Sequence, residues 1–258
     1  MIIFILGGKG LLGNRIFKEL QDIERHTVYS ITKKNYKKFK NKTCDIFINA
    51  NGNSSKFIGN TLPLKDFNQS VKVTYKSMFD FKFQKYIFLS SIDVYNENHN
   101  IINKKENIAI NVKKINHYGF NKVLSESIVK HYAKKYLILR IGTVVDIKLK
   151  KNHIFDIINK NKVFVNKYTK TTLISGYAIS KIISSLIKKE KYNKIYNITG
   201  KNLISYNQVS NYLKLKSNFD ISKPKRIFGA NVSKIEKDLN IKLNSDIFFK
   251  TYLKEIKK

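Results

Sequence analysis

The stretch MIIFILGGKGLLGNRIFKELQDIE, residues 1–24, decides the fold. Its first six residues are all apolar, which is typical of a strand buried on both faces of a parallel sheet. A cluster of glycines follows at positions 7, 8, 10 and 13. After the cluster, apolar side chains recur at helical spacing, at Leu12, Ile16, Leu20 and Ile23. The stretch therefore predicts a strand, a tight glycine turn and a helix over residues 11–24.

The glycine turn, GGKGLLG at residues 7–13, has the composition of a phosphate-binding turn. Glycine permits a tight turn and a close approach of the backbone to a pyrophosphate. The helix that follows offers free N–H groups and the positive end of its dipole. A glycine-rich turn that binds nothing is the alternative, but the strand before and the helix after favour a dinucleotide site. The residues that we expect to bind the dinucleotide here are Gly7, Lys9, Gly10, Leu11, Leu12 and Gly13.

Strand and helix patterns alternate along most of the chain. Strands are predicted over residues 1–6, 27–32, 45–50, 85–90, 136–141 and 194–198. Helices are predicted over residues 11–24, 66–82, 118–135, 176–189, 206–214, 231–239 and 246–256. The alternation predicts an α/β fold, a doubly wound parallel sheet with a small C-terminal substrate lobe. We expect residues 1–146 to form the dinucleotide-binding core, and residues 147–258 to hold the remaining sheet elements and the substrate-binding lobe in one compact unit.

Two further segments bear on which dinucleotide binds. The second strand ends Ile31-Thr32-Lys33-Lys34, without the acidic residue that would bind the ribose diol of NAD. A hydroxyl followed by lysines suits the 2′-phosphate of NADP, so Thr32, Lys33 and Lys34 favour NADP over NAD. Lysines are abundant here, and a solvated surface is the alternative. Asn51 and Gly52 follow the third strand, at the sheet end where ligands bind, and we expect them against the cofactor.

Tyr118 and Lys122, in the segment YGFNK, lie four residues apart at the start of a predicted helix and share one face. An ammonium beside a phenol favours the phenolate, which lets a tyrosine exchange a proton near neutral pH. The spacing alone is not distinctive, because several other tyrosines also have a lysine four residues later: Tyr29, Tyr36, Tyr177 and Tyr212. Tyr118 is singled out by its order, after SSIDVY at 90–95 and before the strand at 136–141.

In this order the motifs resemble the extended short-chain dehydrogenase/reductase superfamily, and within it the NAD(P)-dependent epimerase/dehydratase family. The matching segments span nearly the whole chain: GGKGLLG at 7–13, DIFINANG at 45–52, SSIDVY at 90–95, YGFNK at 118–122, LRIGTVV at 139–145, IYNITG at 195–200 and NVSKIEKDLNI at 231–241. The resemblance implies a Rossmann fold and, in most members, action on nucleotide sugars. It implies Ser91 as the hydroxyl that hydrogen-bonds the substrate, and Tyr118 as proton donor or acceptor. It also implies that Lys122 modulates the pKa of Tyr118 and holds the nicotinamide ribose.

Some segments depart from the family pattern. Only about a dozen residues separate the second strand from DIFINA, enough for one short crossover, so a strand usual in the family is expected to be missing. Asp146-Ile147 replaces a usual glycine-proline turn, and Ser175-Gly176 replaces a usual acidic pair. Ile92 and Asp93 stand where 4,6-dehydratases carry Asp-Glu, which disfavours elimination. A reductase, or an epimerase with a transient ketone, remains. Asp93 and Thr143 are further candidates to contact substrate.

The charge balance is unusual, because 50 Lys and Arg against 18 Asp and Glu give a formal net charge of +32. Such a charge raises the possibility of a nucleic-acid partner. However, only four of these residues are arginines, and the lysines are spread among abundant Ile and Asn, which share A/T-rich codons. Compositional drift is therefore the favoured interpretation, and nucleic acid is an unlikely partner. The alternative function is a non-catalytic protein on the same fold that senses a dinucleotide or contacts nucleic acid.

Other features limit the function classes. Cys44 is the single cysteine, which excludes an internal disulfide, and no metal site is expected because the histidines show no ligand spacing: His26, His99, His117, His131 and His153. The N-terminal apolar run is too short for a signal peptide, and no window reaches the roughly 20 apolar residues of a membrane span. We expect a cytoplasmic protein without a membrane partner. The resemblance implies a homodimer through helices 66–82 and 118–135.

Overall fold

A computed structural model describes residues 1–53, 55–95 and 100–256. The strands are β1 Ile2–Leu6, β2 Thr27–Ile31, β3 Thr43–Asn49, β4 Lys82–Ser91, β5 Tyr136–Ile141, β6 Thr143–Val145, β7 Lys170–Thr171, β8 Leu173–Ser175, β9 Lys194–Ile198, β10 Ile204–Ser205 and β11 Ile227–Phe228. The α-helices are α1 Leu11–Gln21, α2 Tyr36–Phe39, α3 Lys56–Thr61, α4 Pro63–Gln69, α5 Val71–Asp80, α6 His117–Tyr132, α7 His153–Ile158, α8 Gly176–Lys188, α9 Tyr206–Tyr212, α10 Ser233–Leu239 and α11 Ser245–Ile256. Short 3₁₀ turns lie at Ile92–Val94, Ile101–Asn103 and Val112–Lys114.

The main sheet has six strands in the order β2-β1-β3-β4-β5-β9. β1 pairs in parallel with both β2 and β3, and β3 pairs in parallel with β4. The β1 side chains from Ile3 to Leu6 are almost fully buried, as expected for a strand covered by helices on both faces. This topology confirms the predicted α/β doubly wound Rossmann fold. The glycine turn and the ends of β3 and β4 consequently lie at the carboxyl edge of one sheet, where such folds bind ligands.

The segment between β2 and β3 lacks a further strand, as the sequence predicted. Between β2 and β3 the chain forms only the one-turn helix α2, and β2 is the edge strand of the sheet. The side chain of Asn35 closes the intervening turn: its Oδ1 accepts from the Thr32 N–H at 2.7 Å, and its Nδ2 donates to the Ser30 carbonyl at 2.9 Å. The latter bond satisfies a backbone carbonyl in the edge strand, which is one way to blunt a free sheet edge.

The helix predicted over residues 66–82 is instead two helices. α4 and α5 are separated by Ser70, whose backbone dihedral angles are φ −112° and ψ −70°, and Lys82 already belongs to β4. No proline or glycine marks this break in the sequence, so periodicity alone could not find it. The short helix α3 was also not predicted, because six residues are too few to show a helical repeat.

The chain forms two compact units, and each is assembled from separate segments. The first contains Met1–Tyr95, Ile110–Arg140 and Tyr177–Tyr196. Its aromatic core includes Phe47 and Tyr86, whose rings are stacked with centroids 5.3 Å apart. Cys44 lies in the same core, and burial raises the pKa of its thiol to about 12. This cysteine is therefore a packing residue, not a reactive one.

The second unit contains the described residues 100–109, 141–176 and 197–256. It holds two small sheets, β10-β7-β11 and β6-β8. Its core is a cluster of buried apolar residues from the helices and strands around them, among them Val145, Ile157, Leu173, Val209 and Phe249. The predicted boundary between residues 146 and 147 concerns cofactor and substrate binding, and it stays a prediction.

None of the helices in the described ranges is long and apolar enough to cross a membrane. Within the same ranges, no group of three or more His, Cys, Asp or Glu side chains is arranged to hold a metal ion. His99 lies outside the described residues.

Candidate active site

The glycine turn after β1 is closed by its own backbone. The Gly7 N–H donates to the Ile31 carbonyl at 2.9 Å, and the Gly10 N–H donates to the Gly7 carbonyl at 2.8 Å. Gly7 has φ +80°, a conformation that favours glycine. A Cβ on Gly13 would collide with the Gly7 carbonyl oxygen, and one on Gly8 would collide with the Ser30 hydroxyl. The turn therefore needs glycine at these positions for its own geometry.

The turn also fits a dinucleotide phosphate. Gly10 is the N-cap of α1 and has no side chain to accept from the first-turn N–H groups, which begin at Leu11 and Leu12. No acidic residue stands in this first turn, so its N–H groups and the helix dipole are available to an anion. Lys9 is exposed beside them. Free N–H groups at a helix N-terminus, in a glycine turn without side chains to fill it, are the arrangement that a pyrophosphate requires.

Thr32, Lys33 and Lys34 lie directly after β2, on the same side of the sheet as the turn. Both lysines are exposed, while the Thr32 hydroxyl donates to Asn35 Oδ1 at 3.2 Å. Residues 31–44 contain no acidic side chain. A carboxylate that would repel a 2′-phosphate is therefore absent from this segment.

Asn51 and Gly52 continue β3 toward the predicted catalytic residues. The Asn51 N–H donates to Asn49 Oδ1 at 3.1 Å, and its side-chain amide donates to the Gln69 carbonyl at 3.2 Å. Gly52 has φ +128°, and a Cβ there would lie 3.5 Å from Lys122 Nζ. The position expected to contact the cofactor and the lysine expected to hold its ribose are thus adjacent.

Helix α6 begins where it does because Asn116 caps it, accepting from the Gly119 N–H at 2.9 Å. A Cβ on Gly119 would collide with the Asp93 carbonyl oxygen, so the first turn of α6 lies directly against the turn after β4. This close approach brings Tyr118 near Ser91, whose hydroxyl lowers the pKa of the Tyr118 phenol. The two residues are 27 apart in sequence and are brought together by the fold; their joint role as a catalytic site stays a prediction.

Tyr118 is almost fully buried, and its pKa lies above the ordinary value. Burial is the main cause, and the charges of Asp93 and Asp66 add to it, while the hydrogen bond with Ser91 acts in the opposite direction. The chain by itself therefore holds Tyr118 as a protonated phenol, the form that can donate a proton.

Lys122 is also buried, with 5% of its surface exposed. Its Nζ lies 5.5 Å from the centroid of the Phe88 ring and 5.6 Å from that of Tyr118. Burial lowers its pKa, while the charges of Asp66, Glu126 and Asp93 raise it. Within the described residues its ammonium makes no hydrogen bond, so its donors remain available to a ligand.

Asp93 lies within hydrogen-bonding distance of Ser91. Its Oδ2 accepts from the Ser91 hydroxyl at 3.0 Å, and its Oδ1 forms an ion pair with Lys56 Nζ at 2.8 Å. Lys56, on α3, was not predicted, because nothing in the sequence distinguishes one lysine in so basic a chain. Thr143 lies in the second unit, on β6, where its hydroxyl shares a hydrogen bond with that of Thr171 at 2.7 Å. Its proposed contact with substrate stays a prediction.

A buried ion pair between Arg140 and Glu126 lies next to the candidate site. Arg140 binds both carboxylate oxygens of Glu126, at 2.9 and 2.7 Å, and donates to the Tyr95 hydroxyl at 2.8 Å. The Ser90 hydroxyl donates to Glu126 Oε1 at 2.7 Å. The cluster therefore ties α6 to the residue before Ser91 and to β5. Sequence reasoning could have found Glu126, because it lies one helical turn after Lys122 on the same face of α6.

The parallel six-stranded sheet and the glycine turn form the fold expected of the short-chain dehydrogenase/reductase superfamily. Residues 3–145 match the model of the NAD dependent epimerase/dehydratase family, and the chain belongs to that family. A search of curated protein sequences finds no match.

Solved structures of the same fold cover almost the entire chain. MoeE5, in complex with UDP-glucose and NAD, is 13% identical with a TM-score of 0.83, over 100% of both chains. UDP-glucuronic acid 4-epimerase from Bacillus cereus, bound to a fluorinated UDP-glucuronic acid and NAD, is 14% identical with a TM-score of 0.81, over 99% of this chain and 100% of that one. dTDP-4-dehydrorhamnose reductase from Bacillus anthracis, in complex with NADP, is 15% identical with a TM-score of 0.77, over 98% of both chains. At identities this low, the likeness shows the shared fold.

Proposed function

We propose that this protein is an NAD(P)-dependent reductase or epimerase that acts on a carbonyl or hydroxyl carbon of a nucleotide-linked sugar. The observation that carries the proposal is the meeting of Ser91, Tyr118 and Lys122, at the sheet edge that also holds the glycine turn. A protein that only sensed a dinucleotide would have no need of all three side chains.

The residues of the site have distinct roles in this proposal. The bound dinucleotide supplies or accepts a hydride at the substrate carbon. Tyr118 gives a proton to the substrate oxygen, or takes one from it, at its phenol oxygen. Ser91 donates a hydrogen bond to the same oxygen and orients it. Lys122 holds the nicotinamide ribose, and its positive charge stabilises the phenolate when Tyr118 has lost its proton.

Asp93 does not add an elimination step to this reaction. A 4,6-dehydratase needs an acid and a base beside each other, and here the residue next to Asp93 is the buried, apolar Ile92. The carboxylate of Asp93 is already bound to Lys56 and Ser91. Reduction, or epimerisation through a transient ketone, is therefore favoured, with Asp93 and Thr143 as substrate contacts.

The family and its structural relatives support the proposed substrate class. Two of the three solved structures described above hold UDP-linked sugars together with NAD. The strongly positive chain would attract a nucleotide diphosphate through its long-range field. We further propose that the protein acts in the cytoplasm, where a free thiol such as that of Cys44 stays reduced.

The cofactor preference is proposed to be NADP, and it is tested at the exposed lysines after β2. We expect Lys33→Ser/Lys34→Ser to weaken NADPH binding about tenfold and to change NADH binding less than about twofold, since two exposed charge contacts contribute roughly 1.4 kcal/mol together. The measurement is a fluorescence titration of each dinucleotide.

A matched control for that experiment is Lys37→Ser/Lys38→Ser, on the exposed surface of α2. It removes the same charge, so it reports the general field of the protein. Equal weakening of NADPH and NADH, or an equal effect of the control, would show that Lys33 and Lys34 do not select the 2′-phosphate.

A homodimer through α5 and α6 is the proposed assembly. The two helices present a cluster of exposed aromatic rings, Tyr75, Phe79 and Tyr132, with centroids 5.1–5.7 Å apart. Exposed apolar patches of this kind mark interfaces. We expect Phe79→Lys to convert a dimer to a monomer in sedimentation velocity. Tyr212→Lys alters an aromatic side chain of equal exposure, 57%, and should leave the dimer intact. A monomeric wild-type protein would contradict the proposal.

The function is tested by a screen with purified protein. Sugars and 4-ketosugars linked to UDP, GDP, CDP and dTDP are offered with NADPH or NADH, and products are separated by mass and retention time. We expect turnover of at least one nucleotide sugar. Tight binding to unrelated RNA at physiological salt, without dinucleotide binding, would instead favour the non-catalytic alternative.

A further inference from the structure

Asp66, on α4, is a fully buried carboxylate that has no role in the proposed reaction as described above. Its two oxygens accept hydrogen bonds from Ser70 Oγ at 3.2 Å and from Asn121 Nδ2 at 2.7 Å. Ser70 is the residue at the break between α4 and α5, and its hydroxyl also accepts from the Asn53 N–H at 3.3 Å. The carboxylate is thus held between the helix break and α6.

The charges around Lys122 are not all paired in the same way. Glu126 has its own cation in Arg140, and Asp93 has its own cation in Lys56. Asp66 forms no ion pair with any described residue, and neither does Lys122. A buried charge without compensation is costly, and two opposite ones in the same region reduce that cost for each other.

The contacts of Asp66 lead to Lys122 by two routes. Asn121, which binds one carboxylate oxygen, is the residue before Lys122 on α6. Ser70, which binds the other oxygen, lies beside Gly52: a Cβ on Gly52 would be 3.3 Å from Ser70 Oγ and 3.5 Å from Lys122 Nζ. The carboxylate therefore lies next to the place where we expect Gly52 and Lys122 to contact the cofactor.

We propose that Asp66 is a positioning residue, whose buried carboxylate is the counter-charge that holds the Lys122 ammonium at the binding place of the nicotinamide ribose. The inference rests on the proposed function. The electrostatics agree with the geometry, because Asp66 is the strongest of the influences that raise the pKa of Lys122 against the lowering by burial. Asp66 acts through Lys122 and needs no contact with substrate.

The groups that face Lys122 from the elements packed around it are few. Glu126 lies on its own helix, Asp93 on the turn after β4, and Asp66 on α4. The centroids of the Phe88 and Tyr118 rings lie 5.5 and 5.6 Å from the ammonium nitrogen. Since Glu126 and Asp93 are each neutralised by a partner cation, a change at Asp66 should dominate the titration of Lys122.

The experiment measures the Kd of NADPH from neutral to alkaline pH in wild type and variants. The wild type should bind more weakly as Lys122 loses its proton, and Lys122→Met should remove that transition. Asp66→Asn keeps the shape of the side chain and removes its charge. We expect it to move the transition to lower pH by about one unit, which is about a tenfold weaker Kd inside the shifted window.

Two further variants separate charge from structure. Asp66→Asn/Asn121→Asp returns one carboxylate to the same hydrogen-bonded pair, and it should move the transition back toward that of the wild type. Asp80→Asn removes a buried carboxylate from α5, one that binds Tyr36 and Lys40 instead. Asp80→Asn should lose about as much free energy of unfolding in urea as Asp66→Asn does, and it should keep the wild-type pH transition of NADPH binding.

Each result decides between the proposals. A wild-type transition in folded Asp66→Asn would overturn the role of Asp66 and leave the proposed function intact. Absence of NADPH and NADH binding by the wild type would overturn both. If Asp66→Asn does not fold, Asn121→Ala replaces it, since it releases one carboxylate oxygen; we expect a smaller shift in the same direction, and an unmoved transition would again overturn the proposal.

Discussion

Replacement of Tyr118 by Phe should lower turnover of the best nucleotide-sugar substrate by about a thousandfold, the contribution typical of a positioned acid or base. The substitution removes only the hydroxyl and leaves the ring beside Gly59 and Lys122. The loss should therefore appear in kcat, with NADPH binding retained within about threefold, because a proton transfer is made only in the transition state. Steady-state kinetics and a dinucleotide titration measure the two quantities.

Tyr86→Phe is the matched control for that variant. Tyr86 is buried in the same unit, where its hydroxyl binds Ser77 at 2.7 Å and accepts from Asn49 at 2.9 Å. It should lose stability and keep kcat within about twofold. Undiminished turnover in Tyr118→Phe on every active substrate would show that the mechanism is wrong.

The second large effect is expected on stability, at Arg140. Arg140→Met should lower the free energy of unfolding by about 3–5 kcal/mol, because it leaves the Glu126 carboxylate buried without its cation. Burial alone would lower the pKa of Arg140, but the hydrogen bonds and charge of Glu126 raise it above its ordinary value. Arg140 therefore keeps its positive charge in the folded chain. Urea unfolding followed by circular dichroism measures the change.

Two comparisons test that interpretation. Arg25→Met removes an exposed arginine and should change the free energy of unfolding by less than about 0.5 kcal/mol. Glu126→Leu/Arg140→Met removes both charges, so it should be less destabilised than the Arg140 variant alone. A loss below about 1 kcal/mol in Arg140→Met would mean that the cluster contributes little to the fold.

The parts of the fold that the sequence predicted are those set by local chemistry. The turn at residues 7–13 follows from glycine requirements, strand β1 and helix α1 follow from periodicity, and the missing strand follows from a crossover too short to contain one. Tyr118 and Ser91 were predicted as site residues from motif order and a family resemblance. Their spacing alone could not distinguish them from the other tyrosines and serines.

The parts that the sequence did not predict depend on contacts between distant segments. Asp66 looks like an ordinary polar residue of one helix over 66–82, and only the break at Ser70 and the bond from Asn121 reveal a buried carboxylate. Lys56 binds Asp93, which lies 37 residues later in the sequence, so the sequence alone does not distinguish this lysine from the others. In a chain with a net charge of +32, the informative residues are the scarce acidic ones, because a buried carboxylate marks where a lysine has a specific partner.

The central claim, hydride transfer at Ser91, Tyr118 and Lys122, is tested most directly by nicotinamide absorbance. Protein loaded with NAD, NADH, NADP or NADPH is mixed with the panel of nucleotide sugars and 4-ketosugars, and the absorbance of the reduced ring is recorded over a single turnover. A reductase changes it permanently, and an epimerase changes it while the transient ketone is present. We expect a change with at least one combination in the wild type and a change about a thousandfold slower in Tyr118→Phe. Dinucleotide binding without any absorbance change across the panel, or an equal rate of change in both proteins, would contradict this expectation.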